Sequence, residues 1–132
     1  MAISQQELNP KNYTLTEEQA KNMPILLERI NKVRAAWAKP MTVTSGLRSM
    51  ADHLRIYKEM GITDQSKIPM ASNHLKGAAV DISDPDGKLF DWVKANTKLM
   101  EEIGLWMEEK DSHKRVHFQI LPPKSGKRFF NP

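Results

Sequence analysis

Cysteine is absent from this sequence of 132 residues. Its absence excludes a disulfide scaffold, a zinc finger, an iron–sulfur site and a thiol nucleophile, so that any metal must be bound by histidine, aspartate or glutamate. Long apolar runs are missing too, since none approaches the about 18 to 20 residues of a transmembrane helix. What is present is 39% apolar and 27% charged residues, which is typical of a folded domain and not of a disordered chain.

No strong excess of one charge sign is present, since 20 basic and 16 acidic side chains give a net charge of +4. This mild positive excess favours anionic partners such as nucleic acid, cell-wall polymer or phospholipid headgroups, without choosing among them. The N-terminal residues 1–10 are polar and lack the apolar core of a signal peptide. We therefore expect a protein that is made in the cytoplasm and has no stable membrane insertion.

Helical patterns occur three times along the chain. A capping-box signature at residues 16–19 predicts the start of a helix that ends at Pro40. A second helix is predicted from about residue 50 to 60, and a third follows the turn at 84–87 and ends at Gly104. Trp37 and Trp92 lie on the apolar stripes of the first and third helices and are expected in the core.

Short β patterns separate these helices and indicate one α+β domain over residues 1–132. The expected fold is a small antiparallel sheet packed with about three helices. Residues 1–15 are predicted to form an N-terminal arm and residues 122–132 a basic C-terminal tail. The predicted strands are 41–44, 78–83, 105–108 and 116–121. A long loop, 62–77, precedes the second of them.

Alternation along the strands brings several metal-binding side chains to one face of the predicted sheet. If Val80, Ile82 and the apolar residues of the last two strands point into the core, then Asp81, Glu108 and His117 point the other way. His74 lies seven residues before Asp81, at the end of the loop. Two imidazoles and a carboxylate with a nearby glutamate match a catalytic zinc site; the alternative is an ordinary solvated strand face.

Three blocks of the sequence resemble those of the M15 zinc peptidases: Thr44–Ser49, Ser72–Ile82 and Val116–Ile120. This family includes D-alanyl-D-alanine carboxypeptidases and dipeptidases, and phage L-alanyl-D-glutamate endolysins. The most specific block is S-x-H-x-x-G-x-A-x-D, which contains His74 and Asp81. The stretch 104–108 and the tail resemble a phage or prophage branch.

The resemblance implies one Zn²⁺ per chain in a cleft, bound by His74, Asp81 and His117. It also implies that Arg48 lies near the cleft and binds a substrate carboxylate or a carbonyl oxygen that becomes negative in the transition state. Ser72 is expected to touch substrate or to orient the loop. For Trp106 two positions are open, an aromatic wall of the cleft or the core.

The general base is where the sequence departs from the family pattern. Many members place an acidic residue three positions before the last histidine, or a histidine two positions before it, and here these positions hold Lys114 and Arg115. We therefore expect Glu108 to be the base, because alternation puts it on the face of His117. The alternatives are Glu109, Asp111 and His113.

The function that these features predict is a zinc-dependent peptidoglycan peptidase that hydrolyses an amide bond of the murein stem peptide. The L-Ala–D-Glu, D-Ala–D-Ala and cross-bridge bonds all remain open as the bond that is cut. The resemblance to phage lysins implies a monomer that acts at the cell wall after release by a holin. Two alternatives are an inactive zinc-containing cell-wall-binding module of the same fold and a small basic nucleic-acid-binding protein. Against the latter, no recognition motif is present.

Two further features carry minor expectations. Residues 81–87 resemble the first half of a calcium loop, but the proline, the spacing and the missing distal glutamate favour a tight turn. His53 is expected on the surface of the second helix.

Overall fold

The computed structural model describes residues 3–64, 66, 72–109 and 114–131. Five helices and five strands occur among them, and none of these helices has the length and hydropathy needed to cross a bilayer. In chain order the elements are α1 (Gln5–Leu8), α2 (Glu17–Trp37), β1 (Val43–Ser45), α3 (Met50–Glu59), β2 (Ala79–Ser83), α4 (Lys88–Ala95), α5 (Thr97–Ile103), β3 (Trp106–Glu108), β4 (Arg115–Gln119) and β5 (Phe129–Phe130).

The five strands form one mixed sheet in the order β1-β2-β4-β3-β5. The first four pair antiparallel, and Asp81 of β2 lies directly opposite His117 of β4. The predicted α+β class is confirmed. The sheet was predicted to be small and antiparallel; four of its strands pair in this way, and β5 at one edge pairs parallel with β3 through Met107 and Phe129. Part of the predicted tail is therefore a strand.

The two faces of the sheet differ in polarity, as strand alternation predicts. The apolar face joins the stripes of α2 and α4 in one core that includes Leu26, Ile30, Val33, Val80, Ile82, Val93, Met107, Val116 and Phe118. The opposite face carries the buried polar residues Asp81, His117 and Gln119. The polar face is thus held in place by a packed core directly behind it.

The N-terminal segment is not an arm. Ile3 and Leu8 are 3% and 1% exposed and belong to the core. Ser4 and Glu7 form a capping box that starts α1, and this signal is present in the sequence. The side chain of Asn31 in α2 accepts from the backbone N–H of Ile3 and donates to its carbonyl, which fastens the segment to α2.

The predicted third helix is two helices that meet at Asn96. The side-chain amide of Asn96 donates to the Trp92 carbonyl at 2.8 Å, and the hydroxyl of Thr97 donates to the Lys94 carbonyl at 2.7 Å. These side chains compete with the backbone for hydrogen bonds, which favours the end of one helix and the start of another. The count of three helices becomes five once this break and α1 are included.

The loop that precedes β2 is held against α2. Gln19 and Asn22 on α2 donate side-chain hydrogen bonds to the carbonyls of Leu75 and Lys76, at 2.9 and 3.0 Å. Gly77 has φ +67°, and a Cβ there would lie 2.8 Å from a side-chain carbon of α2. The close approach requires glycine. This attachment sets the position of the loop from which His74 extends.

Candidate metal centre

His74, Asp81 and His117 meet on the polar face of the sheet. Nδ1 of His117 lies 2.9 Å from Oδ1 of Asp81, and Nε2 of His74 lies 3.3 Å from Oδ2 of the same carboxylate. One ligand atom of each residue lies within 4.8 Å of the others, and all three side chains are buried. The structure therefore brings together the three residues expected to bind metal.

The second ring nitrogen of His117 contacts a side chain of the same strand. Nε2 of His117 lies 2.8 Å from Oε1 of Gln119, whose own amide donates to the carbonyl of Leu121 at 2.7 Å. Because the Gln119 amide is used in this way, its oxygen must accept from His117 Nε2–H. Nδ1 is then the nitrogen that faces Asp81 and that could bind a metal.

The ring of His74 is oriented by the main chain. Its Nδ1 lies 2.8 Å from the Gly46 carbonyl, and its own carbonyl accepts from the Arg48 backbone N–H at 3.1 Å. The hydroxyl of Ser72 accepts from the backbone N–H of His74 at 3.3 Å. This contact can orient the loop, and Ser72 also lines the cavity above the cluster, so both roles expected for it stay predictions. Nε2 of His74 is left facing Asp81.

The charges of the cluster are strongly coupled. Burial alone would raise the pKa of Asp81, but hydrogen bonds to His117 and His74 outweigh it and hold this pKa below its usual range. Burial would lower the pKa of His117, but the hydrogen bond to Asp81 and the charge of Glu108 outweigh it and raise this pKa. Proton and metal must therefore compete for the same nitrogen, because only an unprotonated imidazole nitrogen binds a metal.

The donor set fits a divalent transition metal. Two imidazole nitrogens and one carboxylate oxygen converge, and both imidazoles have their remaining nitrogen oriented by an oxygen acceptor. Zinc sites that catalyse reactions commonly have three protein ligands of this kind and an open fourth position. Among the described residues, no other group of acidic and histidine side chains has this spacing, and the calcium-like segment 81–87 contributes only Asp81 to it. Asp84, within that calcium-like segment, instead caps α4 by accepting from two backbone N–H groups.

Glu108 lies beside the cluster, as expected for the base. Its Oε1 is 3.8 Å from Nδ1 of His117, and its side chain is 16% exposed. Glu109 points the other way and pairs with Lys94 at 2.7 Å. The remaining alternatives, Asp111 and His113, lie outside the described residues.

Arg115 approaches both carboxylates of the site. Its Nε is 3.6 Å from Asp81 Oδ2, and its Nη2 is 4.0 Å from Glu108 Oε2. Arg115 precedes His117 by two residues on β4 and therefore shares its face. Alternation alone could have placed both Arg115 and Gln119 in the site, but neither was assigned a role from the sequence.

A cavity of about 790 Å³ opens over the cluster. Arg48 and, from α3, Tyr57 line it, and so do Pro122, Pro123 and Phe130 of the predicted tail. The basic and acidic lining residues are Arg48, Lys76, Arg115 and Lys124 against Asp81 and Glu108. The ring of Phe130 in β5 meets the His117 ring edge to face, with centroids 6.3 Å apart. A contribution of the tail to the site was not expected from the sequence.

Three aromatic residues differ from expectation. Trp106 does not line the cavity; it is half-buried at the start of β3, and the guanidinium carbon of Arg128 lies 4.3 Å from its ring centroid. Trp37 and Trp92 are only partly buried and pack against each other at the border of the core.

His53 was expected on the surface and is instead fully buried. Its Nδ1 is 3.2 Å from Nη1 of Arg48, and its ring packs on Tyr57 with centroids 4.9 Å apart. The neighbours of His53 in the sequence are polar and indicated a solvated position. Its contact with Arg48, from the loop before α3, was not expected.

A buried His–Asp–His cluster beside a glutamate, on one face of the sheet of an α+β fold, defines a candidate metal-dependent hydrolase. The chain belongs to the Peptidase M15 family, whose model matches residues 2–117. The protein is therefore a peptidase, and its identification with M15 peptidases from three sequence blocks is confirmed.

Among solved structures, the chain is similar to the L-Ala D-Glu endopeptidase ChiX of Serratia marcescens. The two share 23% sequence identity and superpose with a TM-score of 0.55, over 86% of this chain and 95% of that one. This likeness is evidence for the fold. Comparison with curated protein sequences gives no significant match.

Proposed function

We propose that this protein is a zinc-dependent peptidoglycan peptidase that hydrolyses an amide bond in the murein stem peptide. The observation that carries the proposal is the convergence of His74, Asp81 and His117 within 4.8 Å on the wall of an open cavity. Membership of a peptidase family supports the reaction class. The similarity in fold to an L-Ala D-Glu endopeptidase supports the choice of substrate.

In this proposal His74, Asp81 and His117 hold the metal. Zinc, when bound, supplies Lewis acidity, which polarises a carbonyl and makes water more acidic. Glu108 accepts a proton from the attacking water and returns it to the leaving nitrogen. Its position beside His117 supports this role. Arg115 faces Glu108 across 4.0 Å and limits the directions in which the carboxylate can turn.

Arg48 contributes a permanent positive charge on the cavity wall. Its planar fork of N–H donors suits a substrate carboxylate, or a carbonyl oxygen that becomes negative during hydrolysis. The lining carries four basic and two acidic side chains, so that it favours an anionic peptide. Murein stem peptides carry free carboxylates and fit this requirement.

We propose action at the cell wall by a lysin of phage type, made in the cytoplasm, monomeric and released by a holin. The sequence resemblance supports this part of the proposal. An inactive wall-binding module is the second candidate. It is favoured by the approach of Arg115 to both Asp81 and Glu108, since a cation there competes with a metal ion for the carboxylates.

Mass spectrometry of purified murein after incubation with the protein tests the proposal and identifies the bond. We expect a new amine and carboxylate end at one stem-peptide bond and no product after chelation. Circular dichroism should remain largely unchanged by chelation, because none of the ligands belongs to the apolar core. Binding to murein without cleavage by zinc-loaded protein would favour the binding module instead.

A further inference from the structure

His53 is a fully buried polar residue that the proposed reaction does not use. It occupies the first part of α3, and its backbone N–H bonds to Ser49, the N-cap residue of that helix. A buried imidazole costs free energy unless its nitrogens have partners. The partner of Nδ1 is informative, because it is a group on the wall of the cavity.

The contact between His53 and Arg48 has a defined direction. Nη1 of Arg48 lies 3.2 Å from Nδ1 of His53, and a guanidinium has donors but no acceptor. Nδ1 must therefore accept, so that the ring is neutral with its proton on Nε2. The ring also packs on Tyr57, which limits its rotation and fixes the direction of the Nδ1 lone pair.

A second contact completes the support of the guanidinium. Nη2 of Arg48 donates to the hydroxyl of Ser45 at 3.3 Å. Among the described residues, these two contacts use two of the five N–H donors of the side chain. The Arg48 backbone N–H meanwhile bonds to the carbonyl of the metal-site residue His74. These contacts fix the position of the Arg48 guanidinium relative to His74 of the metal site.

We propose that His53 is a positioning residue that holds the Arg48 guanidinium in the orientation required to bind the anionic group of the substrate. This inference rests on the proposed function, in which Arg48 contacts substrate. His53 itself does not line the cavity and acts through Arg48. An arginine side chain has many rotamers, and fixing one before substrate arrives reduces the entropy lost on binding.

The test is a double-mutant cycle on the zinc-loaded protein, and the assay measures the release of peptide fragments from purified murein. His53→Leu removes the acceptor, and we expect kcat/KM to fall about tenfold or more, since small misplacements of a binding group have effects of this size. In the Arg48→Ala background the same substitution should have little further effect, because its partner is gone. A role in packing alone would give the same loss in both backgrounds and would overturn the inference.

His53→Asn is the conservative variant, because its side-chain oxygen occupies the place of Nδ1, and we expect it to retain most of the activity. If His53→Leu does not fold by circular dichroism, His53→Gln replaces it in the cycle, since its amide lies beyond the Nδ1 position. Zinc content should be unchanged in every variant. Loss of activity in Arg48→Ala with none in the His53 variants would overturn this inference alone. Equal activity of Arg48→Ala and wild type would overturn the role of Arg48 as well.

Discussion

The two halves of the candidate site are supported in different ways. Asp81 and His117 lie opposite each other on paired strands, and Nε2 of His117, which faces away from Asp81, contacts the side chain of Gln119. His74 and Arg48 lie on loop segments that form a main-chain hydrogen bond with each other. Nδ1 of His74, which faces away from Asp81, contacts the Gly46 carbonyl. A side-chain support can be removed by one substitution, whereas a main-chain support changes only when the backbone moves.

The largest expected effect is on the strand half. His117→Ala should lose most of the metal and all detectable murein cleavage, because two ligands rarely hold zinc tightly. Elemental analysis of protein purified without added metal should give near one equivalent in wild type and little in the variant. Circular dichroism should show that the fold persists, since the core lies on the other face. Full metal retention in the variant would show that His117 is not a ligand.

The strand half is also the part of the site that the sequence predicts from physical chemistry. A period of two along β2 and β4 places Asp81 and His117 on one face once Val80 and Phe118 are assigned to the core. The buried sheet specifies this register strongly, because a slip of one residue would expose every apolar side chain.

In the loop half, Arg48 was predicted only through resemblance to a family, and His74 was included because it lies seven residues before Asp81 at the end of the loop. No periodicity connects His74 to Asp81, and the contact of Gly46 with His74 spans 28 positions in the sequence. The burial of His53 was mispredicted for a different reason, because its contact with Arg48 is made by side chains only five positions apart and its polar neighbours indicated a solvated helix face. Long-range main-chain contacts leave no pattern in a single sequence.

Glu108→Gln should keep the metal and lower turnover by about a hundredfold or more, the usual contribution of a positioned general base. The variant keeps size and polarity but cannot accept the proton. Glu109→Gln is the matched control, because Glu109 pairs with Lys94 on the opposite side. Both are compared on the same murein fragment with zinc content measured. Wild-type turnover in Glu108→Gln would place the base elsewhere, with Asp111 and His113 as the next candidates.

Gln119→Leu tests the hydrogen bond that orients His117 without changing a metal ligand. It removes the acceptor of His117 Nε2–H but leaves all three ligands, and loss of such a partner typically weakens metal affinity by about 10- to 100-fold. Competition with a chelator of known affinity measures the change. Ser72→Ala, which removes a side-chain acceptor beside His74, should weaken metal affinity less, because the Gly46 carbonyl still holds the ring. A Gln119→Leu affinity equal to wild type would mean that the strand alone orients His117.

Gly46→Ala is the corresponding perturbation of the loop half. A Cβ there would lie 2.5 Å from the Leu8 carbonyl oxygen, so that α1 or the loop must move. We expect a loss of about 1–3 kcal/mol in the free energy of unfolding, the usual cost of overpacking. Metal affinity should fall with it, because the same glycine carries the carbonyl that orients His74. Gly126→Ala meets no atom within 4 Å but is strained by a φ of +68°, so it should lower stability and leave metal affinity unchanged. Denaturant unfolding and chelator competition would show whether stability and affinity change together.

The smallest expected effect concerns the surface contact that ties the segment before α2 to α3. Asp52 accepts hydrogen bonds from Lys11, at 2.7 Å, and from the hydroxyl of Tyr13. These contacts, that of Lys11 first, lower the pKa of Asp52 from 3.8 to about 2. Because the pKa is lower in the folded state, the stabilisation is present above the unfolded value and is lost as the pH falls through the folded one.

Asp52→Asn should therefore lower Tm slightly at pH 7, and its difference from wild type should shrink as the pH falls below about 4 and be largely gone near pH 2. The effect is small because the pair is exposed to solvent and salt. Lys11→Met should reproduce the pH 7 difference if the ion pair is responsible. Thermal unfolding of the three proteins at pH 7, 4 and 2.5 measures this. A difference that stays constant across this range would mean that Asp52 acts through its position in the first turn of α3 and not through its charge.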